Sequence, residues 1–180
     1  MFETDLIRLQ RIKELYELID VIALDVLRVT KTDIPVKDIK ELVSYFGGEI
    51  VVGISNNWID KTGPDSFNIY VDNWNFPLFN KFYIAARLGD VILHTNYLSD
   101  RESYLNSKEF MFKPDTGLTT QVDQSNEFAY GLLMPEDIYR KVLYENTKGN
   151  DVHTKNIAEY FEVPISAASE RGKRLGLIKR

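Results

Sequence analysis

Residues able to carry out metal or nucleophile chemistry are scarce in this chain. Among its 180 residues there is no cysteine, and the two histidines, His94 and His153, lie far apart. The lack of cysteine excludes disulfides, thiolate zinc sites, cysteine-ligated iron–sulfur clusters and a cysteine nucleophile. Two histidines are too few for a three-histidine site. The composition therefore restricts the chemistry before any motif is considered.

Other catalytic motifs are also missing from the sequence. It contains no G-x-S-x-G nucleophile motif, no phosphate-binding glycine loop and no dinucleotide fingerprint. The acidic pair Glu136-Asp137 stands where a helix is predicted to begin, and helix starts favour acids. We interpret His153 as a surface residue at another helix start. These residues therefore carry no catalytic prediction.

The elements that must position the polar residues are mostly predicted helices. Apolar residues at helical spacing predict helices over residues 4–28 and 36–46, and a buried helix over 79–98. Two more are predicted over residues 121–133 and from Pro135 to about residue 144, with proline in the first turn.

Two short stretches are typical of strands. Residues 49–54 are β-branched, and residues 66–72 alternate between apolar and polar side chains. Because residues 56–63 between them are turn-like, the sequence predicts an antiparallel hairpin. Residues 99–120 are predicted to be a long loop, which is either a lid or an ordinary surface insertion.

The C-terminal part is predicted to form a helix-turn-helix-like extension. Residues 154–161 and 165–175 have helical spacing and flank a tight turn. Residues 147–150 are the best linker candidate. We therefore divide the chain into a main domain, residues 1–146, and an extension, residues 147–180.

Composition and charge bound the class of protein. The chain is 44% hydrophobic and 12% aromatic, enough for a sizeable core, and its net charge is −5. An acidic chain is not a general nucleic-acid coat, although the extension is slightly basic. The sequence shows neither a signal segment nor a membrane-length apolar run, so we expect a cytoplasmic protein.

Three stretches together resemble the ImmA/IrrE family of bacterial and phage metallopeptidases. They are FYIAARLGDVILH at residues 82–94, NEFAYGLLMP at 126–135, and IAEYFEVP followed by RLGLI at 157–178. The family patterns are F-x-x-A-H-E-L-G-H-x-x-L-H, then E-x-x-A-N-x-F-A-x-x-L-L-M-P, then a helical tail. The resemblance implies an α+β fold, in which helices wrap a small antiparallel sheet of about three strands in a zincin-like core.

The resemblance breaks down at the reactive positions. In the family, H-E-x-x-H places two zinc-binding histidines one helical turn apart, with a general-base glutamate between them. The matching residues here are Ala86, Arg87 and Asp90. The family's third ligand is a glutamate, and the candidate positions carry Val122 and Gln124. The resemblance therefore implies a vacated metal site, without metal or cofactor, in a catalytically inactive pseudoenzyme.

Two further expectations concern this site. Arg87 and Asp90 stand at i and i+3 on one helix face, so we expect an ion pair between them. An alternative is a rebuilt metal site that uses Asp90, His94 and Asp123 as residual ligands, which would make the protein a metallopeptidase of a new kind.

The resemblance implies a regulatory role. Active members cut a helix-turn-helix repressor and so release phage, mobile-element or stress genes. An inactive copy is expected to bind such a protein partner, to compete with an active relative, or to serve a different accessory role. The alternative is a DNA-binding regulator that contacts phosphates through Arg171, Lys173 and Arg174.

Aromatic residues near the first motif offer one more interpretation. They line either a peptide groove or the ordinary core. The residues in question are Trp58, Trp74, Phe79, Phe82 and Tyr83.

Overall fold

The computed structural model describes residues 2–53, 58–72, 77–110, 119–149 and 151–179. These residues form eight α-helices, one π-helical segment and five short strands. In chain order they are α1 (Phe2–Thr30), α2 (Ile39–Tyr45), β1 (Gly48–Val52), β2 (Ile59–Gly63), β3 (Ser66–Val71), α3 (Pro77–Gly89), the π-helical segment (Asp90–His94), α4 (Arg101–Asn106), α5 (Gln121–Leu133), α6 (Glu136–Glu145), β4 (Thr147–Lys148), β5 (Asp151–Val152), α7 (Thr154–Phe161) and α8 (Ile165–Arg174). The α+β fold class is thus confirmed.

Helix α5 lies at the centre of the fold, between α1 and α3. Phe128, Leu132 and Leu133 of this helix are completely buried. The contact with α3 is close because a Cβ atom on Gly89 would lie 2.9 Å from the Phe128 ring. A glycine at this position therefore lets the two helices that carry the candidate site approach each other closely.

The three-stranded sheet differs from the predicted antiparallel hairpin. Its order is β1-β3-β2, with β1 parallel and β2 antiparallel to β3. The prediction of a wholly antiparallel sheet was wrong because residues 59–63, taken as part of a turn, form strand β2. Strand β2 was not predicted because its sequence, IDKTG, is largely polar. Its Lys61 is nevertheless buried, since the ammonium donates to the carbonyl oxygens of Tyr104 at 2.6 Å, Pro64 at 2.8 Å and Ser107 at 3.0 Å.

Helix boundaries follow local capping. Helix α2 begins at Ile39, later than predicted, because the Asp38 carboxylate accepts from the backbone N–H groups of Lys40 and Glu41. Helix α5 occupies residues 121–133 as predicted, because Thr120 and Asp123 form a reciprocal capping box. The helix predicted over 79–98 ends earlier, in the π-helical segment.

The predicted loop and linker are partly structured. Within residues 99–120 the short helix α4 begins at Arg101 and is capped by Asp100, whose side chain accepts from the Ser103 N–H. The remainder of this stretch from 111 to 118 lies outside the described residues. Strands β4 and β5 pair across the predicted linker.

The two predicted helices of the extension are confirmed as α7 and α8. They pack against the preceding part of the chain: the Tyr139 hydroxyl donates to the Ala168 carbonyl at 2.6 Å, and the Tyr139 ring stacks on Phe161. The division at residue 147 stays a prediction. No helix within the described ranges is both long and apolar enough to cross a bilayer.

Candidate functional site

The site lies where the end of α3 and the π-helical segment meet α5. Asp90 is largely buried, and an Arg87 guanidinium nitrogen lies 2.7 Å from its carboxylate. The expected ion pair is therefore confirmed. Ala86, one residue earlier, is also buried and presents only a methyl group.

A residue of α5 completes the pair. The Ser125 hydroxyl donates to the second carboxylate oxygen of Asp90. Burial raises the pKa of Asp90, whereas Arg87, Ser125 and His94 oppose that rise. Asp90 thus connects α3 to α5 through a charged and a neutral partner. Such a carboxylate accepts hydrogen bonds and balances a cation.

Tyr83 covers the Arg87 side chain. The guanidinium carbon lies 5.2 Å from the centre of the Tyr83 ring, within the range of a cation–π contact. Burial raises the pKa of Tyr83 to about 12, so the phenol keeps its proton near neutral pH. Arg87 is therefore fixed on two sides, by an aromatic face and by a carboxylate.

The proposed residual ligands do not meet. His94 is buried at the end of the π-helical segment and is close enough to Asp90 to affect its pKa. Asp123, by contrast, accepts from the Thr120 hydroxyl at 2.8 Å. Within the ranges that the structure describes, no three His, Asp or Glu side chains are grouped to hold a metal. Because Asp123 is engaged as a helix cap, the described residues do not bring it together with Asp90 and His94, and a rebuilt site with these three ligands stays a prediction.

The positions expected for the family's third ligand offer no replacement. Val122 is exposed and apolar, whereas Gln124 is buried and its amide donates to the Thr119 hydroxyl at 3.0 Å. A zinc ion needs three or four neutral or anionic donors. The residues present do not supply them. Ala86 offers only a methyl group, the Arg87 guanidinium is already paired with Asp90, and Val122 is apolar. The residues present therefore do not fit the zinc ion that the fold family implies.

One of the three basic residues predicted to contact DNA belongs to the interior. Arg171 is 1% exposed, and its guanidinium donates to Glu127 at 3.0 Å, to Asp20 at 3.0 Å and to the Met134 carbonyl at 3.1 Å. Arg174 donates to the same Glu127 at 2.7 Å. Phosphate contacts through Arg171 are excluded in this conformation because all its donor groups point into the protein. The other two predicted residues, Lys173 and Arg174, are partly exposed.

Sequence reasoning missed this buried ionic cluster, which we define as Asp20, Glu127, Arg171 and Arg174. Burial raises the pKa values of Asp20 and Glu127, and Arg171 opposes both shifts. The cluster connects α1, α5 and α8. A usable signal was present, since Glu127 stands directly before the apolar stretch 128–135 and requires a cationic partner when buried.

The aromatic side chains suggested as a peptide groove contact different elements. Trp58 stacks on Tyr70 of β3, with ring centres 4.5 Å apart. Phe82 packs on Tyr130 of α5 at 5.0 Å. Phe79 is about half exposed, and Trp74 lies outside the described residues. The groove stays a prediction.

Comparisons with known proteins agree with this architecture. The family described as IrrE N-terminal-like domain, Peptidase M78, matches residues 57–173. Among solved structures, a Mycobacterium tuberculosis transcriptional regulator is similar with a TM-score of 0.58 and 18% sequence identity, over 96% of this chain and 52% of that one. The present chain thus spans about half of the regulator's length. No curated protein matches it.

Proposed function

Because the chain belongs to the IrrE N-terminal-like domain family, we propose that it is a catalytically inactive member that acts by binding another protein. The partner is a helix-turn-helix repressor or a related regulator of phage, mobile-element or stress genes. The protein works in the cytoplasm, and it sequesters the repressor or competes with an active relative for it.

The proposed loss of activity is supported mainly by one observation, the ion pair between Arg87 and Asp90. These residues stand where the family's motif places its general base and its second zinc-binding histidine. A guanidinium at the base position repels a cation instead of activating water. Since its charge is neutralised by Asp90, the pair also gives a folded scaffold that needs no metal there.

A role in gene regulation is supported by the fold. A chain of the same fold is named a transcriptional regulator, and active members of this family are expected to act on repressors. The packing residues of the motif helices are kept, with Leu88 and Phe128 fully buried. A retained scaffold with altered reactive positions is consistent with binding without cleavage.

The experiment is incubation of the purified full chain with candidate repressors, with and without added zinc or manganese. We expect a complex on size-exclusion chromatography and an intact repressor on denaturing gels. Repressor fragments that form with wild type but not with Asp90→Asn would overturn the proposal, because they would place catalysis at Asp90. If no candidate repressor binds, the assignment of the partner fails, even where no cleavage is observed.

A further inference from the structure

The beginning of α1 extends beyond the body of the protein. Residues 5–11 are exposed on every side of the helix, and burial begins only at Ile12. At 1.5 Å per residue these seven residues rise about 10 Å. These residues continue a 29-residue helix, but most helical stability in proteins comes from packing of an amphipathic face, and here that face is exposed.

One side of this end is apolar. Leu6, Leu9, Ile12 and Tyr16 follow helical spacing, and Leu6 and Leu9 are 71% and 64% exposed. We call these four residues the α1 stripe. It leads to the edge of an open groove of about 550 Å³ between α1 and α8, which Leu9, Ile12 and Tyr16 line on the α1 side and whose other lining residues are mostly charged. The stripe therefore forms a continuous surface from the helix end to the body.

The sequence of the stripe is complementary to its own reversal. Leu9 is the centre, Leu6 and Ile12 lie three residues on either side of it, and Asp5 and Lys13 lie four residues on either side. When the direction of the helix is reversed, Leu6 and Ile12 exchange places, and so do Asp5 and Lys13. An aliphatic residue then meets an aliphatic residue, and an acid meets a base. An antiparallel copy thus meets matching residues at these five positions, as a two-fold interface requires.

We propose that a second copy of this chain docks on the α1 stripe as an antiparallel helix pair, with its two-fold axis at Leu9. Each Leu9 packs on the other, each Leu6 packs on the partner's Ile12, and each Asp5 lies beside the partner's Lys13. A parallel pair would place Asp5 beside Asp5 and Lys13 beside Lys13, which is unfavourable. The charges therefore select the antiparallel arrangement. This inference is independent of the function proposed above.

The test is sedimentation equilibrium of the full chain over roughly 1 to 300 µM at low salt. We expect a reversible monomer–dimer equilibrium, since two short helices bury an area at the low end for specific interfaces. Leu9→Asp places two carboxylates at the axis and is expected to weaken the dimer by about tenfold or more. Asp25→Lys is the matched control, because it reverses an exposed charge of α1 away from the stripe.

Charge reversal tests the antiparallel register. Asp5→Lys alone and Lys13→Asp alone each create two like-charge contacts, and each is expected to weaken the homodimer by roughly fivefold. A mixture of the two variants restores both contacts in a heterodimer, so mixing is expected to recover wild-type association. In a parallel pair, by contrast, wild type and each single variant would all have two like-charge contacts, so neither single variant would weaken association relative to wild type.

Three outcomes overturn the proposal. The first is a chain that stays monomeric over the whole range. The second is a dimer unaffected by Leu9→Asp, and the third is a weakened pair of variants that mixing does not rescue. If the chain is monomeric and Leu9→Asp instead abolishes binding of a repressor, the stripe receives the repressor and not a second copy.

Discussion

The Arg87 guanidinium lies 2.7 Å from the Asp90 carboxylate, one turn further along the same helical stretch. Their side chains are 21% and 9% exposed, so water screens the pair little. Ser125 of α5 donates to the free carboxylate oxygen. The pair thus connects α3 to the π-helical segment that follows it. Through Ser125 it also contributes to the contact between α3 and α5.

Replacement of Arg87 is expected to destabilise the fold. Arg87→Met leaves the buried Asp90 carboxylate without its cation, which we expect to cost about 3 kcal/mol of unfolding free energy. Urea unfolding at neutral pH measures this. The matched control is Arg140→Met, which breaks an exposed pair with Glu136 and is expected to cost less than about 0.5 kcal/mol. Equal losses in the two variants would show that burial of the Arg87–Asp90 pair adds nothing.

Metal removal is expected to leave stability unchanged. A ligand that binds the folded state raises the thermal midpoint in proportion to its occupancy. Since Ala86, Arg87 and Asp90 provide no zinc site, excess EDTA or added zinc is expected to shift the midpoint by less than about 1 °C. A zinc-dependent rise that Asp90→Asn removes would contradict this expectation and support a rebuilt site.

Features encoded by neighbouring residues could be predicted from the sequence. Helix α5 was predicted with its observed bounds because its apolar spacing and its N-terminal polar residues lie within a few positions of each other. The ion pair between Arg87 and Asp90 was predicted for the same reason, since residues at i and i+3 meet on any helix. These relationships do not depend on the rest of the fold.

Features that depend on distant partners could not be predicted. In the sheet, β3 lies between β1 and β2. Because β2 has no apolar alternation, its sequence does not predict a strand, and the parallel pairing of β1 with β3 could not be predicted without it. The buried position of Arg171 could not be predicted because its partners, Asp20 and Glu127, are distant in sequence. Asp123 was considered as a ligand because of its position in the sequence. In the structure it takes part in the N-terminal cap of α5 instead.

Arg171 is expected to be essential for folding and not for nucleic-acid contact. Arg171→Met leaves the buried Glu127 and Asp20 carboxylates without this cation, and we expect a loss of about 3 to 5 kcal/mol. Arg171→Lys is expected to lose an intermediate amount, because an ammonium does not reproduce the guanidinium geometry. Lys173→Met on the same helix is the control and is expected to be nearly neutral. Urea unfolding compares the three, and a small effect of Arg171→Met would contradict the structural role.

Glu162 is expected to make stability depend on acidity. The Lys37 ammonium, 2.6 Å from the Glu162 carboxylate, together with Lys81 lowers the pKa of Glu162 in the folded protein below its usual 4.5. A carboxylate with a lowered folded pKa stabilises the protein above pH 4.5, and this contribution is lost as the pH falls through the lower, folded value.

The variant Glu162→Gln removes this contribution. Because the Glu162 side chain is 40% exposed, we expect the variant to be less stable at pH 6 by no more than about 1 kcal/mol. The difference should shrink as the pH falls toward 3.5, and it should also shrink in 1 M salt. Urea unfolding at both pH values measures it. A constant difference between pH 6 and pH 3.5 would contradict a charge effect and would assign the loss to packing at the end of α7.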